Sequence, residues 1–186
     1  YSLIKEHWRC DICENSFCEN CTETLDECIL CNNLFCNDCG ENEICIDNAE
    51  ILDKVKNYSM SITNNYPDTS HNFSHHCSVM ENVVKIGEDM RLFNSELLFL
   101  EIAALVHDIV DHKYCYPELT SEKNYDEKRK DLENFLKSIN IPDYWIKRII
   151  IWISNISYSY ESKYGYPDIP KEDIKFRNIL SDADKL

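Results

Sequence analysis

The sequence contains few of the residues that interrupt regular secondary structure. Only 3 glycines and 5 prolines occur among its 186 residues. A flexible linker or a fold built from many tight turns would need more of both. Because 44% of the residues are hydrophobic, the composition is that of a globular protein. The length suffices for one domain of about 130–150 residues and a small appendage.

Basic residues are also scarce. The 19 Lys and Arg stand against 34 Asp and Glu, which gives a formal net charge of −15 at pH 7. Extended nucleic acid and anionic membranes attract proteins through clustered Lys and Arg, so the composition disfavours both partners. No apolar run approaches the roughly 18 residues of a membrane span, and the first residues show no secretory pattern. A small phosphorylated ligand is still compatible with this charge if a metal ion locally reverses the field.

Cysteine is rare outside the first 45 residues, which hold nine of the eleven. The other two, Cys77 and Cys115, are isolated, and we interpret them as small buried hydrophobes. Dispersed cysteines would be typical of a secreted disulfide scaffold. Clustered CxxC pairs ahead of a thiol-poor region instead indicate metal binding in a reducing compartment. The pattern therefore predicts an intracellular, cytoplasmic protein.

The clustered cysteines form two copies of the pattern C-x2-C-x4-C-x2-C, offset by eighteen positions. Two thiolates two residues apart are suited to bind one tetrahedral zinc ion. A segment of about 40 residues buries little core, so bound metal would supply much of its folding energy. If sulfur fills every coordination position, the zinc is structural rather than catalytic. We therefore predict two structural zinc ions, bound by Cys10, Cys13, Cys18, Cys21, Cys28, Cys31, Cys36 and Cys39.

The pairing of these cysteines is open between two arrangements. In a sequential arrangement, each repeat binds one ion. In a cross-brace, the first CxxC of each repeat binds one ion together, and the second CxxC of each repeat binds the other. The cross-brace resembles RING-like and ZZ-like fingers, which are usually protein-interaction modules, and this resemblance implies a protein partner. His7 and Cys45 flank the repeats as further candidate ligands.

The rest of the chain has helical periodicity. Apolar side chains recur at three- and four-residue spacing, as in the stripe that runs from Val79 to Met90. Three consecutive isoleucines beginning at Ile149 also allow a strand, but the length of their segment favours a helix. The sequence therefore predicts an all-α domain at 47–186 after a zinc-binding module at 1–46. The predicted helices span 49–62, 74–90, 95–110, 125–139, 142–160 and 171–186.

Histidine and aspartate recur at the ends of these predicted helices. Helical bundles commonly build metal sites from side chains on facing helices. Adjacent His and Asp residues on a helix diverge by about 100°, so both can reach one ion only at a helix end or in a crowded interior. A site of nitrogen and oxygen ligands suits Mn, Fe or Mg, with open positions for water and phosphate oxygens. The candidate residues are His71, His75, His76, His107, Asp108, Asp182 and Asp184.

The order H…HD…D resembles that of the HD-domain superfamily of metal-dependent phosphohydrolases. The family's first motif, D-x-S-H-D-x-x-H, corresponds here to DTSHNFSH at 68–75, with Asn72 in place of the motif's second aspartate. The segments HDIVDHKY and DADKL are similar to later family motifs, so the resemblance covers roughly residues 50–186. It implies a helical HD-domain fold that we expect to continue beyond Leu186. It also implies hydrolysis of a phosphate ester or anhydride, often in a nucleotide.

The resemblance further implies a role for particular residues. Asp111 would orient or deprotonate the attacking water, Lys113 would bind phosphate, and His71 would contact the phosphates as well. The cofactor would be Mn, Fe or Mg, and the implied ligands are His75, His107, Asp108 and Asp184. Asp182 is the second choice for the last of these ligands.

A second interpretation treats the chain as an interaction protein. The zinc module would bind a protein partner, and the HD domain would be a catalytically silent scaffold. The intact set of His and Asp favours the enzyme, because such a cluster is costly to keep near a core without a metal. We interpret His76 and His112 as surface residues. We interpret the aromatic row as core rather than as a surface for stacking bases; it consists of Tyr144, Trp145, Trp152, Tyr158 and Tyr160.

Overall fold

Short paired strands lie near the N-terminus of the computed structural model. β1 (Trp8–Arg9) pairs with β2 (Ser16–Phe17), and β3 (Leu25–Glu27) pairs with β4 (Leu34–Cys36), both antiparallel. The two pairs occupy corresponding positions of the two cysteine repeats. The structure describes residues 8–9, 16–17, 25–27, 34–36, 48–64, 72–92, 94–110, 121–156, 161 and 169–186.

The register of the strands places Trp8 opposite Phe17 and Leu25 opposite Cys36. Cys36 is described through its backbone only. The other seven cysteines of the repeats lie outside the described residues. The two zinc ions and the pairing of their ligands therefore stay predictions.

The described part of the remaining chain is helical. The helical class predicted from periodicity is confirmed there, and the three isoleucines lie in a helix rather than a strand. None of the described helices is both long enough and apolar enough to cross a membrane. The helices are α1 (Asn48–Thr63), α2 (Phe73–Asp89), α3 (Asn94–Val106), α4 (Ser121–Ser138), α5 (Asp143–Ser154) and α6 (Lys171–Lys185).

Two helices end earlier than their apolar pattern predicts. α3 stops at Val106, and a turn follows in which the Ile109 amide donates to the Val106 carbonyl over 3.1 Å. Ile109 and Val110 are both buried in this turn, so the apolar pattern continues after the helix has ended. α5 ends at Ser154, before the predicted end at residue 160. A continuing pattern of buried apolar residues therefore does not show that the helix continues.

α3 is the centre of the bundle. Its Leu100, Ile102 and Leu105 side chains are fully buried, and α1, α2, α5 and α6 pack around it. α2 and α6 also pack against each other. The end of α3 consequently lies beside the start of α2 and the end of α6, where the candidate site is found.

A buried ion pair joins α5 to α6. Arg148 Nε donates to Asp173 Oδ1 over 2.8 Å, and Trp152 Nε1 donates to the same oxygen over 2.7 Å. The guanidinium carbon of Arg148 lies 4.8 Å from the ring centres of Trp145 and Phe176. We call these five residues the Arg148–Asp173 network. Buried charges are tolerated when they are paired and hydrogen-bonded in this way, so the network fixes α6 against α5.

Asn82 of α2 holds the last turn of α6. Its Nδ2 donates to the Ala183 carbonyl over 3.1 Å. The last four carbonyls of a helix have no acceptor role within the helix, and Ala183 is among them because α6 ends at Lys185. The bond therefore satisfies a carbonyl and attaches the end of α6 to α2.

Candidate metal centre

α2 positions His75 in its first turn. Asn72 is the N-cap of this helix, and its Oδ1 accepts a hydrogen bond from the His75 amide over 3.1 Å. Asn and Asp are about equally good N-cap residues. The asparagine that replaces the motif's aspartate therefore keeps the capping function and starts the helix at the position that presents His75.

His107 and Asp108 lie in the turn that follows α3, and both are buried. His107 Nδ1 lies 2.7 Å from the Ala104 carbonyl oxygen. Because a carbonyl can only accept, Nδ1 carries the hydrogen, and Nε2 of the neutral ring presents a lone pair. The early end of α3 thus places this doublet at a helix end, where adjacent side chains can approach one point.

The last turn of α6 contributes Asp184. Its Oδ1 lies 3.1 Å from His75 Nε2 and 3.4 Å from His107 Nε2. The Asp108 Oδ2 atom lies 3.5 Å from the same His107 nitrogen. The structure therefore brings together the four residues that the sequence proposed as ligands. Asp182, the second choice for the last ligand, is exposed.

The electrostatics of this cluster favour a positive charge. Burial by itself would lower the pKa of His107, but Asp184 and Asp108 outweigh it and raise that pKa above its ordinary value. For Asp184, burial would raise the pKa, but His107 and His75 lower it well below its usual range. A nitrogen lone pair that faces two carboxylates is unfavourable unless a proton or a cation lies between them.

A divalent cation fits the donor set. His75, His107 and Asp108 each offer one ligand atom, and these atoms all lie within 4.8 Å of one another. Asp184 adds a second carboxylate beside both imidazoles. Two imidazole nitrogens and two carboxylates suit Mn, Fe or Mg better than an ion that prefers thiolates. Four protein groups would leave positions for water and for a substrate oxygen.

The interpretation of His76 as a surface residue is wrong. Its side chain is 0% exposed, and its ring centre lies 4.9 Å from that of His107. Burial, followed by the nearby His107, lowers the pKa of His76 to about 3. The sequence carried a signal for this position, because His76 lies three residues before Val79 and seven before Val83 on the buried stripe of α2.

Three residues with proposed catalytic roles lie outside the described residues. They are His71, Asp111 and Lys113. Their roles in binding phosphate or orienting water stay predictions from the family resemblance. The same holds for the surface position predicted for His112 and for the core positions predicted for Tyr158 and Tyr160.

The core interpretation of the aromatic row is confirmed for Trp145 and Trp152, which are buried. It is wrong for Tyr144, which is 50% exposed.

Solved structures with a similar fold include proteins from two bacteria. No protein-family model and no curated protein matches the sequence. Bacillus subtilis YpgQ, an HD-domain protein, has a structure in complex with ADP, with 22% identity over 74% of this chain and a TM-score of 0.50. Another YpgQ structure gives the same values. A protein from Lactobacillus plantarum gives 18% identity over 72% of this chain and a TM-score of 0.54.

These likenesses show the fold rather than the activity, because the identities are low. This chain covers 58% of YpgQ and 54% of the Lactobacillus plantarum protein, so it spans a little over half the length of each. The described helices therefore have a fold similar to that of these two proteins, with a His and Asp cluster that fits a metal site.

Proposed function

We propose that the protein is a divalent-metal-dependent phosphohydrolase that acts on a nucleotide or a related phosphate ester or anhydride. The observation that carries the proposal is the environment of His107 Nε2, whose lone pair faces the carboxylates of Asp108 and Asp184. A bound divalent cation would resolve this conflict. Such an ion, when bound, polarises a phosphoryl oxygen and lowers the pKa of a coordinated water.

The protein's own residues would hold and orient that ion. His75, His107, Asp108 and Asp184 are the proposed ligands. Metal-binding histidines commonly donate their other ring N–H to a carbonyl, which fixes the tautomer and the ring orientation. The bond from His107 to Ala104 has this form. The tautomer and the orientation of the His107 ring are therefore already those needed to bind an ion through Nε2.

One observation supports a phosphorylated substrate. YpgQ, which shares the fold, binds ADP in one of its structures. The formal net charge of −15 would repel a phosphate, so an anionic substrate needs a local cation to bind. By resemblance, Lys113 and His71 would contact the phosphates, and Asp111 would orient or deprotonate the attacking water. The two zinc ions of the cysteine repeats would be structural and would hold a surface for a protein partner.

Metal content and hydrolysis test the proposal together. The full chain is purified without chelator, analysed for Zn, Mn and Fe, and assayed with Mn²⁺ against nucleoside mono-, di- and triphosphates. We expect about two zinc ions and one further ion per chain, with release of phosphate from at least one nucleotide. Asp184→Asn should lower kcat/KM by about 10³-fold or more, because it removes a ligand of the ion.

Asp182→Asn is the matched control. It makes the same change on the same helix, but at an exposed position two residues away. It should leave Mn²⁺ binding and hydrolysis unchanged. If the wild-type protein binds no Mn²⁺, Fe²⁺ or Mg²⁺, the proposal is overturned, and the silent scaffold with an interaction module becomes the better interpretation.

A further inference from the structure

His76 is a buried polar residue that the proposed ligand set does not use. It lies on α2 directly after His75, and its ring centre is 6.1 Å from that of His75. Together with the 4.9 Å between the His76 and His107 ring centres, this distance puts three imidazoles in one buried cluster. A residue on the core-facing stripe of a helix is usually apolar, so a histidine there needs a physical reason.

The contacts of His76 Nδ1 determine its tautomer. This atom lies 3.0 Å from the Leu105 carbonyl oxygen and 2.8 Å from Ser59 Oγ. The carbonyl can only accept, so Nδ1 must carry the hydrogen to avoid facing a second lone pair at that distance. Nε2 of the neutral ring then carries a lone pair and requires a donor.

No described side chain or backbone group provides that donor. Nε2 of His76 is buried and makes no hydrogen bond within the described part of the chain. A buried polar atom left in this state destabilises the folded protein unless a partner such as water reaches it. His107 shows the same pattern: its Nδ1 bonds to an α3 carbonyl, and its Nε2 turns toward the candidate metal centre.

We propose that His76 is a water-positioning residue of the metal centre, with Nε2 accepting a hydrogen bond from a water molecule bound to the ion. Water is placed between His76 and the ion because the four proposed ligands leave coordination positions for water. The inference rests on the proposed function, because it needs the ion. It adds a residue that the HD-type motif in this sequence does not contain.

Two substitutions separate this role from a purely structural one. His76→Asn keeps an N–H donor near the position of Nδ1, for the Leu105 carbonyl, and removes the acceptor at Nε2. His76→Gln places an amide oxygen near the position of Nε2 and loses the donor to Leu105. The measurements are the Mn²⁺ dissociation constant, the proton couplings of Mn²⁺-bound water by ENDOR, and kcat.

We expect His76→Asn to weaken Mn²⁺ binding or lower kcat by about 10–100-fold, as for other groups that support a metal site through hydrogen bonds. It should also change the water proton couplings. His76→Gln should recover most of both properties. Ser59→Ala, which leaves Nε2 and the Leu105 bond in place, should match the wild-type protein. A structural role alone predicts the reverse order, with His76→Asn normal and His76→Gln impaired.

The outcomes distinguish this inference from the proposed function. A wild-type protein that binds no divalent ion overturns the proposed function itself. Binding by the wild-type protein with unchanged affinity, couplings and kcat in His76→Asn overturns only the role of His76. Loss of a ¹⁴N coupling to Mn²⁺ in His76→Asn would show direct ligation and would also overturn the water-mediated contact.

Discussion

Two buried polar clusters share helix α6, and they differ in how their charges are satisfied. In the Arg148–Asp173 network, the carboxylate receives hydrogen bonds from a guanidinium and an indole of the same protein. In the candidate metal centre, the carboxylates of Asp108 and Asp184 approach an imidazole nitrogen that carries a lone pair. The first cluster is complete within the protein. In the second cluster, a proton or a cation must lie between the nitrogen and the carboxylates, and the proposed metal ion would meet this need.

Asp173 and Asp184, two of the three aspartates of α6, illustrate the difference. Asp173 lies in the first turn, where the helix dipole favours negative charge, and Asp184 lies in the last turn, where the dipole opposes it. Local helix energetics therefore explain Asp173 but not Asp184. A carboxylate at the unfavourable end of a helix is better explained by the two imidazoles that it faces and by the proposed cation.

The largest expected effect on stability comes from disrupting the Arg148–Asp173 network. Asp173→Ala leaves Arg148 buried without its carboxylate, which should lower the free energy of unfolding by about 3–5 kcal/mol. Urea denaturation followed by circular dichroism measures this change. Glu172→Ala, at the exposed neighbouring position, is the control and should change stability little. A loss below about 1 kcal/mol for Asp173→Ala would mean that the network is not a stabilising unit.

Binding of Mn²⁺ at the candidate metal centre should have the next largest effect on stability. Mn²⁺ at 100 times its dissociation constant should raise the free energy of unfolding by about 2.7 kcal/mol, because it binds the folded state. Denaturation with and without Mn²⁺ measures the gain. Asp184→Asn should abolish the gain and Asp182→Asn should keep it. An equal gain in both variants would place the ion elsewhere.

Asn82 offers a smaller perturbation of the same cluster. Asn82→Ala removes one partly buried hydrogen bond to Ala183, at a cost of about 0.5–1.5 kcal/mol. It should also weaken Mn²⁺ binding, because it releases the turn that carries Asp184. Calorimetric titration measures the affinity. Unchanged Mn²⁺ binding in a destabilised variant would show that α6 is held by other contacts.

The smallest effect on stability is expected from disrupting an exposed ion pair between Arg129 and Glu133. Arg129 Nε lies 2.8 Å from Glu133 Oε1, but the two side chains are 48% and 30% exposed. Arg129→Ala should therefore cost only about 0.3–0.5 kcal/mol, and less at high salt. Comparison with Asp173→Ala under the same conditions measures the effect of burial. Similar losses in the two variants would contradict the distinction.

Much of the helical architecture could be predicted from apolar spacing, and the family resemblance of the His and Asp order implied the residues of the cluster. Periodicity could not predict that α3 ends at Val106, since Ile109 and Val110 continue the buried pattern within a turn. It also could not predict the partners of Arg148, because Asp173 lies 25 positions later in the sequence. Such pairings depend on tertiary packing rather than on local pattern.

The burial of His76 is the clearest case of a feature that the sequence pattern indicates but that the polarity of the residue obscures. Its spacing from Val79 and Val83 placed it on the buried face of α2, whereas its polarity suggested the surface. The spacing was the better guide. A polar residue at a core-facing position indicates either a partner in the core or a functional site, and it should be tested as such.

The hydrogen bond between Asn82 and Ala183 also bears on the stage of synthesis at which the proposed metal ligands come together. It joins residues 101 positions apart. Contacts of such long range form late, because closing the intervening chain costs entropy. A nascent chain that has released α2 and α3 can already gather His75, His107 and Asp108, but it lacks the carboxylate from α6. Full metal affinity would therefore appear only once α6 has emerged from the ribosome and docked, so the ion would select completed helical domains over partial ones.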